Sequence, residues 1–182
     1  MSEIKIGLRQ IELTDVSAVK NIFDSPFRQV AVFPSAPTTA AIDGWVKSTH
    51  KNPTDCFYAI TLHKGASDVY IVGVCGLHQI DFISRTADLF FTMIDKDKYK
   101  ASIQDYKSTQ SALDQILKIG FNEWGLNKIS IEILEQNKSL AALEKAGFVV
   151  EGVRREAAFI GGRFHSAIVL STMLAEYRAR AQ

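Results

Sequence analysis

The chain has 182 residues, 21 basic and 20 acidic, and its net charge of +1 offers no field to gather nucleic acid or an anionic membrane. Its 47% hydrophobic content can build one continuous core, and no run approaches the roughly 18 uninterrupted apolar residues of a membrane span. Only Cys56 and Cys75 occur, each in an apolar stretch, as free buried thiols do in a reducing compartment. Together with the charged start Met1-Ser2-Glu3-Ile4-Lys5, this predicts a cytoplasmic protein folded as one domain over residues 1–182.

Residues 3 to 12 alternate Ile4, Ile6 and Leu8 with polar neighbours and predict a half-buried strand. Thr14 and Asp15 offer an N-cap to an amphipathic helix over about 15 to 24, carried by Val16, Val19, Ile22 and Phe23. Pro26, Pro34 and Pro37 oppose regular structure, and Thr38-Thr39 then open a second helix reaching about His50. Cys56 to Leu62, Val69 to His78 and Ala87 to Ile94 follow with short turns between them, the pattern of an antiparallel meander. From Asp105 the apolar residues step by three and four through Leu113, Ile116, Leu117 and Phe121, predicting a helix that Gly125 ends. Ile129, Ile131 and Ile133 alternate as a strand, Ser139 to Lys145 form a short helix before Gly147, and Phe148 to Val150 begin another strand. The last strand is expected at Ser166 to Met173, with a polar tail from about Ala175. This order implies an α/β (α+β mixed) fold, with a mixed sheet of about seven strands and helices on both faces.

Leu8-Arg9 before Thr14-Asp15, the run from Gly73 to Arg85-Thr86-Ala87-Asp88, Gly125-Leu126-Asn127-Lys128-Ile129, and Gln136 through Glu144-Lys145-Ala146-Gly147-Phe148 come in an order that resembles the GNAT acetyltransferases. The likeness is to the branch that acetylates ribosomal-protein N-termini and nucleotide-linked amino sugars. The resemblance implies acetyl transfer from acetyl-CoA to a small-molecule or peptide amine by direct attack; a homodimer is the assembly that an exposed sheet edge would allow. The alternative is a non-catalytic domain of the same fold that binds a partner.

In that family the splayed fourth strand holds the pantetheine and the thioester carbonyl, which here means Thr92, Met93 and Ile94. The diphosphate loop corresponds to Gln104, Lys107, Ser108 and Thr109. Lys107 and Thr109 stand where relatives have small residues, and the connection from Asp95 to Ile103 is about five residues longer than usual. Asn137 and Ser139 resemble the polar pair that contacts the cofactor, and are equally good helix caps. Leu143 stands where many relatives carry a tyrosine that reprotonates the thiolate, so no general acid is assigned, although Tyr99 and Tyr106 are available.

A base is needed to strip the acceptor of its proton. Asp88 takes the place of the usual glutamate, and period-two alternation puts it on one face with Phe90 and Thr92; pairing with Arg85 is its structural alternative. Glu132 and His78 are the other candidates, against the simpler readings of a solvated strand face and a surface histidine. The acceptor side should include Arg154, Arg155, Phe159, Arg163 and His165, where the arginines suit a phosphate or carboxylate. No metal is expected, because the four histidines lack ligand spacing.

Overall fold

The computed structural model describes residues 4–24, 37–65, 68–94, 106–137 and 139–180. Seven strands form one sheet: β1 (Ile4–Gln10), β2 (Cys56–Lys64), β3 (Asp68–Asp81), β4 (Thr86–Met93), β5 (Lys128–Leu134), β6 (Val149–Ile160) and β7 (Arg163–Met173). Their spatial order is β1-β2-β3-β4-β5-β7-β6, and every neighbouring pair is antiparallel except β4 with β5.

The two faces of the sheet bury different helices. Helices α1 (Val16–Phe23) and α2 (Thr39–Thr49) cover one face, where Val19, Ile22, Phe23, Ile42 and Val46 meet Phe57, Val74 and Phe90. The second core gathers Ile60, Leu77, Leu89, Phe91, Ile129 and Ile131 beneath α3 (Tyr106–Lys118) and α4 (Leu140–Lys145). Burial of this kind contributes about 25 cal/mol per Å² of apolar surface, which is why both faces read as apolar in alternate positions of the central strands.

Two local devices fix the ends of the first helices. Asp15 is buried and accepts hydrogen bonds from Arg9 Nη1 and Nη2 at 2.9 and 2.8 Å and from the Glu12 amide at 2.8 Å, so the first strand and the turn Leu13–Asp15 are clamped together. Thr38 caps α2 by accepting from the Ala41 amide at 3.1 Å.

The long helix departs from expectation at its end. After Lys118 it widens into a π-helical turn, Ile119–Glu123, with the Trp124 amide donating to the Ile119 carbonyl. β6, which the sequence opens at Phe148 without marking its end, runs from Val149 to Ile160. It joins β7 through Gly161-Gly162 at φ 60° and 80°, the positive pair that a two-residue I′ hairpin turn requires. The expected polar tail is a helix, α5 (Leu174–Arg180), because Tyr177 stacks on Phe121 at 4.9 Å and Arg180 donates to the Lys145 carbonyl at 3.1 Å.

Candidate active site

β4 and β5 pair at three positions only, Thr86–Lys128, Ala87–Ile129 and Asp88–Ser130. Beyond them the strands continue separately to Met93 and Leu134, so the sheet splits from this point outward. The Ile94 amide donates to the Val72 carbonyl at 2.8 Å, on the β3 side. Antiparallel alternation then directs the amides of Thr92 and Phe90 to β3 as well, and those of Phe91 and Met93 toward the split, while the Leu89 amide closes the β4–β5 ladder on the Ser130 carbonyl. Of Thr92, Met93 and Ile94, therefore, Met93 alone turns its amide to the opening. Phe91 is the further donor that side-chain patterning did not single out.

On the α1/α2 side of the split lies an open cleft of about 380 Å³. His78, Asp88, Ser130 and Glu132 all line it. Register explains the convergence: His78 sits opposite Asp88 on β3, Ser130 sits beside Asp88 on β5, and Glu132 follows Ser130 on the same face. The three sequence candidates for the base thus meet at one place. Asp88 does so at the closed end of the split, half-buried and away from Arg85, whose guanidinium donates instead to the Gly125 carbonyl. His78 is held by stacking on Phe57, with ring centroids 6.1 Å apart and planes 19° from parallel. Glu132 is ion-paired with Arg154 at the cleft.

The far wall comes from β6. Its register with β7 passes from Arg154–Ala167 to Ala158–His165, so the longer stretch of β6 must bulge, and Glu156 adopts φ 50° within it. The bulge places Ala157 and Ala158 on the cleft, where larger side chains would fill it.

On the opposite side, α3 begins at Tyr106, so Lys107, Ser108 and Thr109 occupy its first turn, where amides without intrahelical partners and the helix dipole favour an anion. Gln104 lies outside the described residues, as do Tyr99 and the side chains of Tyr106 and Lys107. The Ser108 side chain is buried, and Thr109 Oγ1 donates to Met93 Sδ at 3.6 Å, tying this turn to the end of β4. Asn137 Oδ1 accepts from the Ser139 amide at 2.8 Å, which is local capping, while its Nδ2 is buried with no partner among the described residues. That orphaned donor and the open amides of β4 fit an acyl-CoA chain running between them. Leu143 is packed into the core and cannot reach the cleft.

The remaining candidates are dispersed. Arg155, Phe159 and Arg163 are exposed on the β6–β7 hairpin, with Phe159 against Phe164. His165 Nδ1 accepts from Gln136 Nε2 at 2.7 Å and its Nε2 donates to the Ile160 carbonyl at 3.2 Å, which is a structural role. Burial pushes the Cys56 and Cys75 thiols up, away from the thiolate that a nucleophile requires.

Comparison with known proteins agrees with this geometry. Residues 5–149 match the acetyltransferase (GNAT) domain family. A curated relative, "Putative ribosomal N-acetyltransferase YdaF" of Bacillus subtilis (strain 168), is 25% identical over 111 residues, which is 60% of this chain and 57% of that protein. Two solved variants of the spermidine N-acetyltransferase SpeG from Vibrio cholerae superpose with TM-scores of 0.79 and 0.78 at 20% and 18% identity. They cover 97% of this chain and 99% and 98% of their own, a likeness of fold. With the family match spanning most of the sequence, and the sheet split where that fold splits, the chain belongs to the GNAT acetyltransferase family, for which acetyl-CoA is the cosubstrate.

Proposed function

We propose that the chain moves an acetyl group from acetyl-CoA to a primary amine bound in the cleft over His78 and Asp88. The observation that carries this reading is the three-pair junction of β4 and β5, which leaves strand amides facing an opening with a carboxylate at its closed end. Acetyl-CoA supplies an activated acyl group. The Phe91 and Met93 amides stabilise negative charge on an acyl oxygen in the split, as fixed donors do best in a site closed to water. Asp88 accepts the proton of the ammonium, directly or through a water, and His78 lies within one strand spacing of it. The first turn of α3, through Lys107, Ser108 and Thr109, holds the diphosphate with backbone amides, and Asn137 and Ser139 hold the pantetheine. The departing thiolate needs no protein acid, because a thiol's ordinary pKa is only about 8.5.

For the acceptor we favour a peptide N-terminus or an amino sugar. Arg154 is engaged by Glu132, which weakens the case for a diphosphate-bearing acceptor held by that arginine. Residues 1–182 act as one domain in the cytoplasm, where both thiols stay reduced. A homodimer has its best support in the outer edge of β6, where Val149, Val150 and Val153 are exposed.

Titrating acetyl-CoA by calorimetry and measuring turnover against spermidine, glucosamine and an alanine-starting tripeptide tests the reading. Asp88→Asn should lower turnover about 100-fold, as loss of a general base does, and change acetyl-CoA affinity by less than about twofold. Undiminished turnover would remove Asp88 from the mechanism, and absence of acetyl-CoA binding by the wild type would leave only the non-catalytic alternative.

A further inference from the structure

Ser130 lines the cleft beside the three sequence candidates, although no alternation or motif points to it. It is the parallel neighbour of Asp88 and the antiparallel neighbour of Ser171. Its polar neighbours on β5 and β7 are already engaged. Ser171 Oγ donates to Glu151 Oε1 at 2.7 Å, and the same oxygen receives Lys128 Nζ at 2.7 Å. Glu132, next along the face, is held by Arg154. Ser130 is half-buried and makes no side-chain hydrogen bond to another described residue, so its hydroxyl is available to the cleft.

Neighbouring strands lie about 4.8 Å apart, so Ser130 Oγ and the Asp88 carboxylate flank a common point on the cleft floor. A primary ammonium brings three N–H donors to such a point. We infer that Ser130 Oγ is a second anchor for the acceptor amine, taking one N–H while Asp88 takes a proton. This rests on the transferase reading above.

The balance is simple. One N–H bond breaks and an O–H bond forms on Asp88; the freed nitrogen lone pair forms the C–N bond, the C–S bond breaks with its electron pair going to sulfur, and the departing thiolate takes a second N–H proton, leaving the amide with one N–H. Throughout, Ser130 accepts a hydrogen bond from an N–H that stays on nitrogen. It thereby turns the lone pair away from the floor and toward the open amides of β4. A hydroxyl at this position can also discriminate, because acylation consumes both N–H bonds of a secondary ammonium and leaves none for Ser130, whereas a primary one keeps one.

The test compares wild type, Ser130→Ala and Ser130→Thr, with acetyl-CoA and whichever amine of the panel above the wild type turns over fastest. Ser130→Ala should raise the amine KM about tenfold, the effect of one hydrogen bond to a charged group, and leave the acetyl-CoA KM within about twofold. Ser130→Thr, which keeps the hydroxyl, should recover most of the loss, and thermal unfolding of all three should coincide. An active wild type with an unchanged amine KM in Ser130→Ala, or with the two KM values rising in parallel, overturns the inference alone. An inactive wild type overturns the transferase reading and the inference with it.

Discussion

Gly76 on β3 connects packing to the cleft, and replacing it with alanine should be felt in both. A Cβ at this position would lie 2.6 Å from the Cys56 carbonyl oxygen and 2.5 Å from Phe57 Cδ1, where ordinary contact begins at 3.4 Å. The oxygen belongs to the backbone of the neighbouring strand and cannot rotate away. Relief requires β2 and β3 to separate or the Phe57 ring to move, and Phe57 is the ring on which His78 stacks and against which Trp45 and Phe90 pack edge-on. Overpacking of this kind costs about 3 kcal/mol at the upper end of its usual range. Loss of glycine's unfolded-state freedom offsets about 0.5–1 kcal/mol, leaving a net loss of about 2 kcal/mol. In a chain of this size that lowers Tm by about 4–8 °C. Gly44 is the control, because it lies in α2 with nothing within 4 Å of an added Cβ. Gly44→Ala should therefore gain about 0.5–1 kcal/mol from helix propensity alone. Paired thermal and urea unfolding of the two variants reads the difference, and a Gly76→Ala protein as stable as wild type would refute the packing argument.

Two further outcomes follow from the ionised groups. Asp15→Ala removes three hydrogen bonds, two of them from Arg9, and should destabilise by about 2 kcal/mol in urea unfolding; a partly exposed Arg9 that rehydrates keeps the figure from being larger. The Lys128 ammonium, and after it the Ser171 hydroxyl, hold the Glu151 carboxyl below its ordinary 4.5. A depressed folded pKa stabilises above the unfolded value and is lost as pH falls through the folded one. Glu151→Gln should accordingly be less stable than wild type at neutral pH, with the gap closing below about pH 4. A gap independent of pH would show that these hydrogen bonds do not distinguish the charged form.

Alternation and helical spacing carried the order of elements and the seven strands, since burial on both faces writes itself into residue type. Asp88, Glu132 and His78 could be nominated because strand alternation predicts the face of each, and the register then brought all three to one cleft. What sequence could not supply was register itself. The ion pair of Glu132 with Arg154 spans from β5 to β6 across β7, and neither residue signals the other. The sequence left the end of β6 unmarked because every residue of Val149–Ile160 is exposed or half-exposed, so no apolar alternation traces it. α5 was read as a tail because its anchors, Phe121 and the Lys145 carbonyl, are distant in sequence. Ser130 went unnoticed for the plainest reason, being a small polar residue in a polar phase of an otherwise regular strand.

The open edge of β4 also bears on how such a protein changes over time. If the donor's recognition is carried by the Phe91 and Met93 amides, substitutions at these positions are judged by how well they fit the apolar interior, and the ligand places no demand on which side chain is chosen. Lineages can then rewrite the strand freely, as long as bulk is conserved, without surrendering the hydrogen bonds it offers.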